Sequence, residues 1–407
     1  MFHKSLNADF HHLFHLHFNM DKEITEVSLF QFFANLGRNV IMLALPFFLY
    51  REVGYEIWQI CAFFFFWQLG FTLTIPFVGA FISRFGLKHS MLLRSFGTAT
   101  FWVGLSFLLK GNFWHDMTVL IPLFLLNGFC KSASEIGYDI FLTYYMNRGS
   151  NGKTIAWIQM AIMAAVVVAP LAGGMIMKSL GFNWVVYTAA LFYIISGVIL
   201  LLTPDKKFNV SYTPTGLLHD AFKKTDKTLF VAEFGRVFFD AVLWVVWPIF
   251  LLLILTNVTA IGMIVAASSA LSMVATFIIG KRIDKFGVSV RSFRFGTYRS
   301  TLLNFLRGMI WDPVVLAVID SLHKINMGTL KVPYTMQIFK WLHKRDTFER
   351  AHIRWMIAEN IYMVAILIFS LLFYFFANDF RLVFTSIFAI GSLTMLLTQA
   401  VGKFKEE

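Results

Sequence analysis

Apolar residues fall in twelve long runs separated by short polar breaks, near 26–50, 57–82, 90–110, 117–142, 154–178, 183–203, 229–255, 257–280, 293–311, 313–338, 351–377 and 380–401. A helix crossing the hydrocarbon core of a bilayer needs roughly 20 such residues, so each run predicts a spanning helix. The ninth run is interrupted by Arg299 and Arg307, and the tenth carries Asp320, His323, Lys324 and Lys331. They are retained because without them one half of the chain would be short of helices. The longest polar gap, 204–228, falls at mid-chain with six runs on each side. The pattern predicts an all-α membrane protein of twelve transmembrane helices in two six-helix halves: an arm at 1–25, a half at 26–203, a cytoplasmic linker at 204–228, and a half at 229–407 with a short cytoplasmic tail.

Composition agrees. Of 407 residues, 58% are hydrophobic and only 14% charged, about half the usual quarter. A soluble domain so composed would expose large apolar patches, and a disordered chain would need dense charge. The net charge of +12 would suggest nucleic acid in a soluble protein. Here the basic residues instead sort by loop. Arg84, Lys88 and Arg94, then Arg148 and Lys153, the lysines of 206–227, the cluster Lys281 to Arg294, and Lys340 to Arg350 all fall on one side. The opposite loops hold little beyond Arg51, Lys110, Lys178 and Arg381. That bias places both termini in the cytoplasm and implies contact with anionic lipid, with no nucleic-acid partner. A plasma (inner) membrane location is expected. Cys61 and Cys130 lie in separate spans, which argues against a disulfide.

Two local matches mark an internal repeat. Gly79-Ala-Phe-Ile-Ser-Arg-Phe-Gly86 follows the second run, and Gly280-Lys-Arg-Ile-Asp-Lys-Phe-Gly287 follows the eighth. Ala34-Asn-Leu-Gly37-Arg38 in the first run matches Ala232-Glu-Phe-Gly235-Arg236 in the seventh, each followed by Pro-x-Phe at Pro46 and Pro248. Both offsets are near half the chain, so a six-helix unit is duplicated, as in secondary transporters. The loop Gly79, Ser83, Arg84, Gly86, Lys88 resembles the G-x-x-x-D-R-x-G-R-K element of the major facilitator superfamily, with serine at the acidic position. The second copy keeps an acid, Asp284, with Lys285 and Gly287. Ala169-Pro170-Leu171-Ala172-Gly173-Gly174 resembles the G-P-x-x-G-G element of many antiporters in that family. The resemblance implies two halves rocking about a mid-membrane site, a latching role for the loop acid that here falls to Asp284, and a leaning toward export. Without the family, Pro170, Gly173 and Gly174 equally describe a kinked, closely packed helix.

Charges inside spans are costly and usually face the bundle interior. They are Arg38; Lys131, Glu135 and Asp139; Arg236 and Asp240; Asp320, His323 and Lys324; and Glu359. All but Glu359 fall on spans 1, 4, 7 and 10, which line the central cavity in the resembled family. The i,i+4 spacings put Lys131, Glu135 and Asp139 on one stripe, and pair Arg236 with Asp240 and Lys324 with Asp320. The repeat suggests Arg38 with Arg236, and Lys131 with Lys324, as symmetric cations. Arg38, Lys131, Arg236, Trp244 and Lys324 are therefore substrate-binding candidates for a small-molecule anion. Glu135, Asp240 and Asp320 are proton-coupling candidates. Glu359 joins them, with pairing to a base on a neighbouring span as its alternative. If each acid only neutralises its own i,i+4 base, the cavity is near neutral and a zwitterion or cation fits as well.

The aromatic run Phe63 to Trp67 reads as packing; Trp244 reads as packing or as the wall of an aromatic cavity. His11-His12-x-x-His15-x-His17 could hold a metal, but Phe10, Phe14 and Phe18 share one face and favour an interfacial helix, so no metal site is expected. Met20-Asp-Lys-Glu reads as a natural start. No phosphate-binding G-x-x-x-x-G-K-[ST] is present, and no cofactor is expected. The expectation is a proton-coupled secondary transporter, monomeric because one chain supplies both halves. A membrane-embedded lipid-modifying enzyme and a non-transporting sensor or scaffold are the competing classes.

Overall fold

The computed structural model describes residues 22–146, 151–202, 205, 216, 219, 226–255, 258–286, 290–343 and 346–403. The histidine-rich arm, most of the 204–228 linker and Gly287 lie outside the described residues. So do the side chains of Lys153 and Asp284.

The described residues form long helices and no strand. In chain order they are α1 (Lys22–Arg51), α2 (Ile57–Phe85), α3 (Leu87–Leu108), α4 (Phe113–Met146), α5 (Asn151–Leu180) and α6 (Phe182–Ile199). Then come α7 (Lys227–Ile254), α8 (Val258–Phe286), α9 (Val290–Met309), α10 (Pro313–His343), α11 (Thr347–Phe375) and α12 (Phe380–Met395, continuing as a 3₁₀ turn to Lys403). Ten are long and apolar enough to cross a membrane; α9 and α10 fall short. Their polarity has a specific origin. Arg307 of α9 is fully buried against Asp320 of α10, so each helix carries the charge that neutralises the other. Leu191, Val198, Phe375 and Leu393 are exposed on the outside, where a lipid-facing surface needs apolar side chains. Cys61 and Cys130 are buried and free.

The helix pairing repeats. In the first half α2 packs on α4, α4 on α3, α3 on α6, α6 on α1 and α1 on α5. In the second, α8 packs on α10, α10 on α9, α9 on α12, α12 on α7 and α7 on α11. Each pair is the earlier one advanced by six helices. The two sets meet along α5–α8 and α2–α11, which are themselves exchanged by the same shift.

Close approaches set the register of the repeat. A Cβ on Gly128 of α4 would sit 2.4 Å from the Gly70 carbonyl oxygen of α2, and one on Gly328 of α10 would sit 2.8 Å from that of Ser272 of α8. Gly128 and Gly328 are thus equivalent crossing points, where only glycine lets backbones meet. This corrects the symmetric partner of Lys131, three residues beyond Gly128. It is Lys331, three residues beyond Gly328, and not Lys324. The Lys131–Lys324 match rested on a polar-x-x-x-Lys spacing along one helix, which carries no information about where helices cross.

Candidate functional site

Two connected chambers lie between the halves. One, of about 230 Å³, is lined chiefly by α1 to α4, α7 and α11, and includes Gln68, Arg94, Lys131, Arg236 and Glu359. The other, of about 370 Å³, lies among α1, α4, α5, α7, α8 and α10 and includes Val166, Pro170, Trp247, Lys324 and Lys331. Arg38, Arg94, Glu135, Asp240 and Trp244 line both.

Local backbone chemistry puts Trp244 there. Pro248 has no N–H to bond the carbonyl four residues back, and α7 widens into a π turn over Val242–Val246 just before it. Trp244 sits within that turn, and the Arg38 guanidinium stacks on its ring at 4.3 Å. The ring is therefore a cavity wall rather than a packing element.

The ion pairs divide the cations. Arg236 donates to Glu233 at 2.5 Å and to Asp240 at 2.7 Å. Lys324 stands 3.4 Å from Asp320, which also accepts from Ser268 at 2.7 Å and from Arg307. For these two cations the i,i+4 reading describes the contact. On α4 it does not, and self-neutralisation of that stripe is corrected. Lys131 reaches Glu359 of α11 at 3.6 Å, Glu135 accepts from Arg94 of α3 at 2.7 Å, and Asp139 accepts from Arg354 of α11 at 2.5 Å and from Trp355 at 2.8 Å. Helix α4 packs on α3 and α11, and charged groups on them outcompete those along its own axis. Arg38 and Lys331 have no acidic partner within 4 Å among the described residues.

Several residues of this network were not expected there. Arg94 and Lys88 count as loop cations by position, yet both are buried in α3, and Lys88 pairs with Glu26 at 2.7 Å. The loop assignment fails because α3 begins at Leu87, directly after the Gly86 turn. Gly86 has φ +96°, and Asp205, after α6, accepts from the backbone N–H groups of Lys88 and His89 at 3.0 Å each. An acid does stand at this turn, then, but from a distant point in the chain rather than from position 83. Glu233 is fully buried, clamped between Arg236 and Arg354 (2.9 Å). Gln68 donates to Glu359, tying α2 to α11. The signal available for Glu233 and Arg354 was charge within an apolar run, the same one that marked Arg236.

The remaining motif residues are structural in placement. Gly79 is buried in α2, Arg84 is exposed and lies over the Phe85 ring, and Lys285 is exposed near the end of α8, beyond Gly280. In α5, a Cβ on Gly173 would lie 2.3 Å from the Val40 carbonyl oxygen of α1, and the Pro170 carbonyl oxygen lies 2.7 Å from where Gly262 of α8 would carry its Cβ. Gly174 is buried beside them. The element lets α5 approach both its own half and the opposite one. In the aromatic run, Phe64 and Trp67 reach the smaller chamber while Phe63 packs on Phe124. Among the described residues no group of three or more His, Cys, Asp or Glu side chains could hold a metal ion.

The sequence profile of the Major Facilitator Superfamily matches residues 27–257, more than half of the chain. No curated protein matches the sequence. Among solved structures, the human organic anion transporter MFSD10 (TETRAN) is similar in fold, with a TM-score of 0.66 at 14% identity, covering 93% of this chain and 98% of that one.

Proposed function

The chain belongs to the major facilitator superfamily and is a multi-pass membrane transporter; from that premise we propose that it moves a small organic anion by alternating access. The observation that carries this reading is the pair of unpartnered cations, Arg38 and Lys331, one from each half, on a cavity whose other bases are neutralised by acids. A cation facing a cavity inside the membrane-spanning bundle without a counter-ion is costly, and a bound anion relieves that cost. Arg38 offers its planar fork to a carboxylate or sulfonate while its other face rests on Trp244. The similar human structure is named for organic anions; at 14% identity that likeness is of fold, so the cavity charge carries the argument.

Proton coupling is assigned to Asp240 and Glu135. Both line the two chambers, and each neutralises a cavity base, Arg94 or Arg236, so taking up a proton changes the charge the cavity presents to the substrate. Asp320 is fully enclosed by Arg307, Lys324 and Ser268, and Glu359 is held by Lys131 and Gln68, so these two serve as fixed counter-ions. Export in exchange for protons is the preferred direction, on the α5 element. The chain acts as a monomer in the plasma (inner) membrane with both termini cytoplasmic, on the asymmetry of its basic loops.

The test uses proteoliposomes loaded with unlabelled 1-naphthalenesulfonate. Labelled 1-naphthalenesulfonate should accumulate transiently by counterflow, and an imposed proton gradient should drive net movement. Asp240→Asn should retain counterflow and lose the proton-driven component. Absence of counterflow with this and every other small anion tried would defeat the reading.

A further inference from the structure

The two chambers differ in chemistry as well as in size. The smaller one carries the ion-paired Arg94, Lys131 and Arg236 with Gln68 and Asn127, and its size suits a compact anion held at Arg38. The larger one extends from the same Arg38–Trp244 junction into a space walled by Leu243, Ile162, Met163, Val166 and Val265. Polar groups complete the lining: Ser269, Ser272, Lys324 and Lys331 on α8 and α10, Gln31, Asn35 and Asn39 on α1, and single groups elsewhere such as Gln159 on α5 and Tyr138 on α4. A compact, fully hydrated anion gains nothing from such an apolar recess, because its own polar surface would be stripped of water there.

We infer that the substrate is an amphipathic organic monoanion. Its charged head sits at Arg38, and its apolar body, planar where it meets Trp244, fills the recess between α5 and α7. Four features support the assignment. The volume of about 370 Å³ lies in the range of pockets that enclose an organic molecule rather than an inorganic ion. The π turn in α7 presents Leu243 and Trp244 together, so one helix supplies both the apolar wall and the aromatic support of Arg38. The far wall is soft: Met163 of α5 accepts from Thr276 of α8 at 3.3 Å, and Met327 of α10 also reaches the chamber. Methionine side chains adapt to ligands of unequal shape, which suits a recess selecting for apolarity over exact outline. Finally, the recess borders the α5–α8 seam, where Pro170 meets Gly262, so a body lodged there contacts both halves at once.

This inference rests on the anion-transport reading, and one experiment separates the two. Binding of 1-naphthalenesulfonate and methanesulfonate, which share a head and differ in body, is measured by calorimetry on the purified full chain. The naphthyl compound should bind at least a hundredfold more tightly, since the added affinity comes from apolar surface leaving water. Val166→Trp, which fills the recess, should shrink that ratio below tenfold while methanesulfonate binding stays unchanged; Ile162→Trp is a second filling variant should the first fail to fold. Arg38→Ala should weaken both ligands. Equal binding of the two sulfonates, or a ratio indifferent to both tryptophan variants, overturns the amphipathic assignment and leaves anion transport standing. Failure of both sulfonates to bind, together with failure of every small carboxylate tried, overturns the anion reading itself.

Discussion

Arg38 and Arg236 occupy equivalent places in the two halves. Each follows a glycine at a tight helix crossing: Gly37 lies against Tyr193 of α6, and Gly235 lies against Thr394 and Leu397 of α12. Their surroundings nevertheless diverge. Position 233 is glutamate in the second half, and Asp240 follows one turn after Arg236, so that guanidinium is held by two carboxylates. The corresponding residues of the first half are Asn35 and Met42, and Arg38 meets an indole ring instead. Duplication supplies the cation, but the acids added around one copy make it a fixture while the other stays open to a ligand. The lysines show the same division with the halves exchanged. Lys131 is tied to Glu359, and Lys331 has no acid within 4 Å among the described residues.

The comparison can be broken most forcefully at Arg236. Removing it leaves fully buried Glu233 with Arg354 as its remaining base. Breaking a buried pair from one side costs about 3 kcal/mol, so Arg236→Ala should lower the Tm of the detergent-solubilised protein markedly. An unchanged Tm would show that Arg236 is as available as Arg38. At Arg38 the loss should appear in binding. A charge-assisted contact contributes about 2 kcal/mol, or about thirtyfold in affinity, so Arg38→Ala should weaken sulfonate binding by that factor and leave Tm close to that of the parent protein. A large fall in Tm with little change in affinity would reverse the assigned roles. The smallest effect belongs to Trp244. Trp244→Leu removes the aromatic support of Arg38, worth about 1 kcal/mol, and should weaken anion binding about fivefold. A loss matching that of Arg38→Ala would mean that the indole binds the ligand directly.

Much of the site could be read from charge in apolar runs. Arg38, Lys131, Arg236, Asp240 and Lys324 each interrupt a span that otherwise has no use for charge, and all five line the cavity. Arg94 escaped because it stands near the end of a run, where a basic residue ordinarily reports topology. Glu233 and Arg354 escaped in the same way, since charge near a span end ordinarily lies at a membrane surface. Pairing was the least legible feature. Spacing predicts neighbours along one helix, whereas Lys131, Glu135 and Asp139 found theirs on α11 and α3.

By itself the sequence determined the class of molecule, ten of the expected spans, the repeated pattern and the cations that came with it. These depend on quantities local to the chain: the length of an apolar run, the sign of charge in a loop, and the recurrence of short patterns. Tertiary structure alone decided which cations are free, that α9 and α10 neutralise one another through Arg307 and Asp320, and that the π turn before Pro248 brings Trp244 under Arg38. The physical reason is range. Hydrophobic length acts residue by residue, but a buried charge takes whichever partner the packed helices bring within about 4 Å, and residues hundreds of positions apart compete for it.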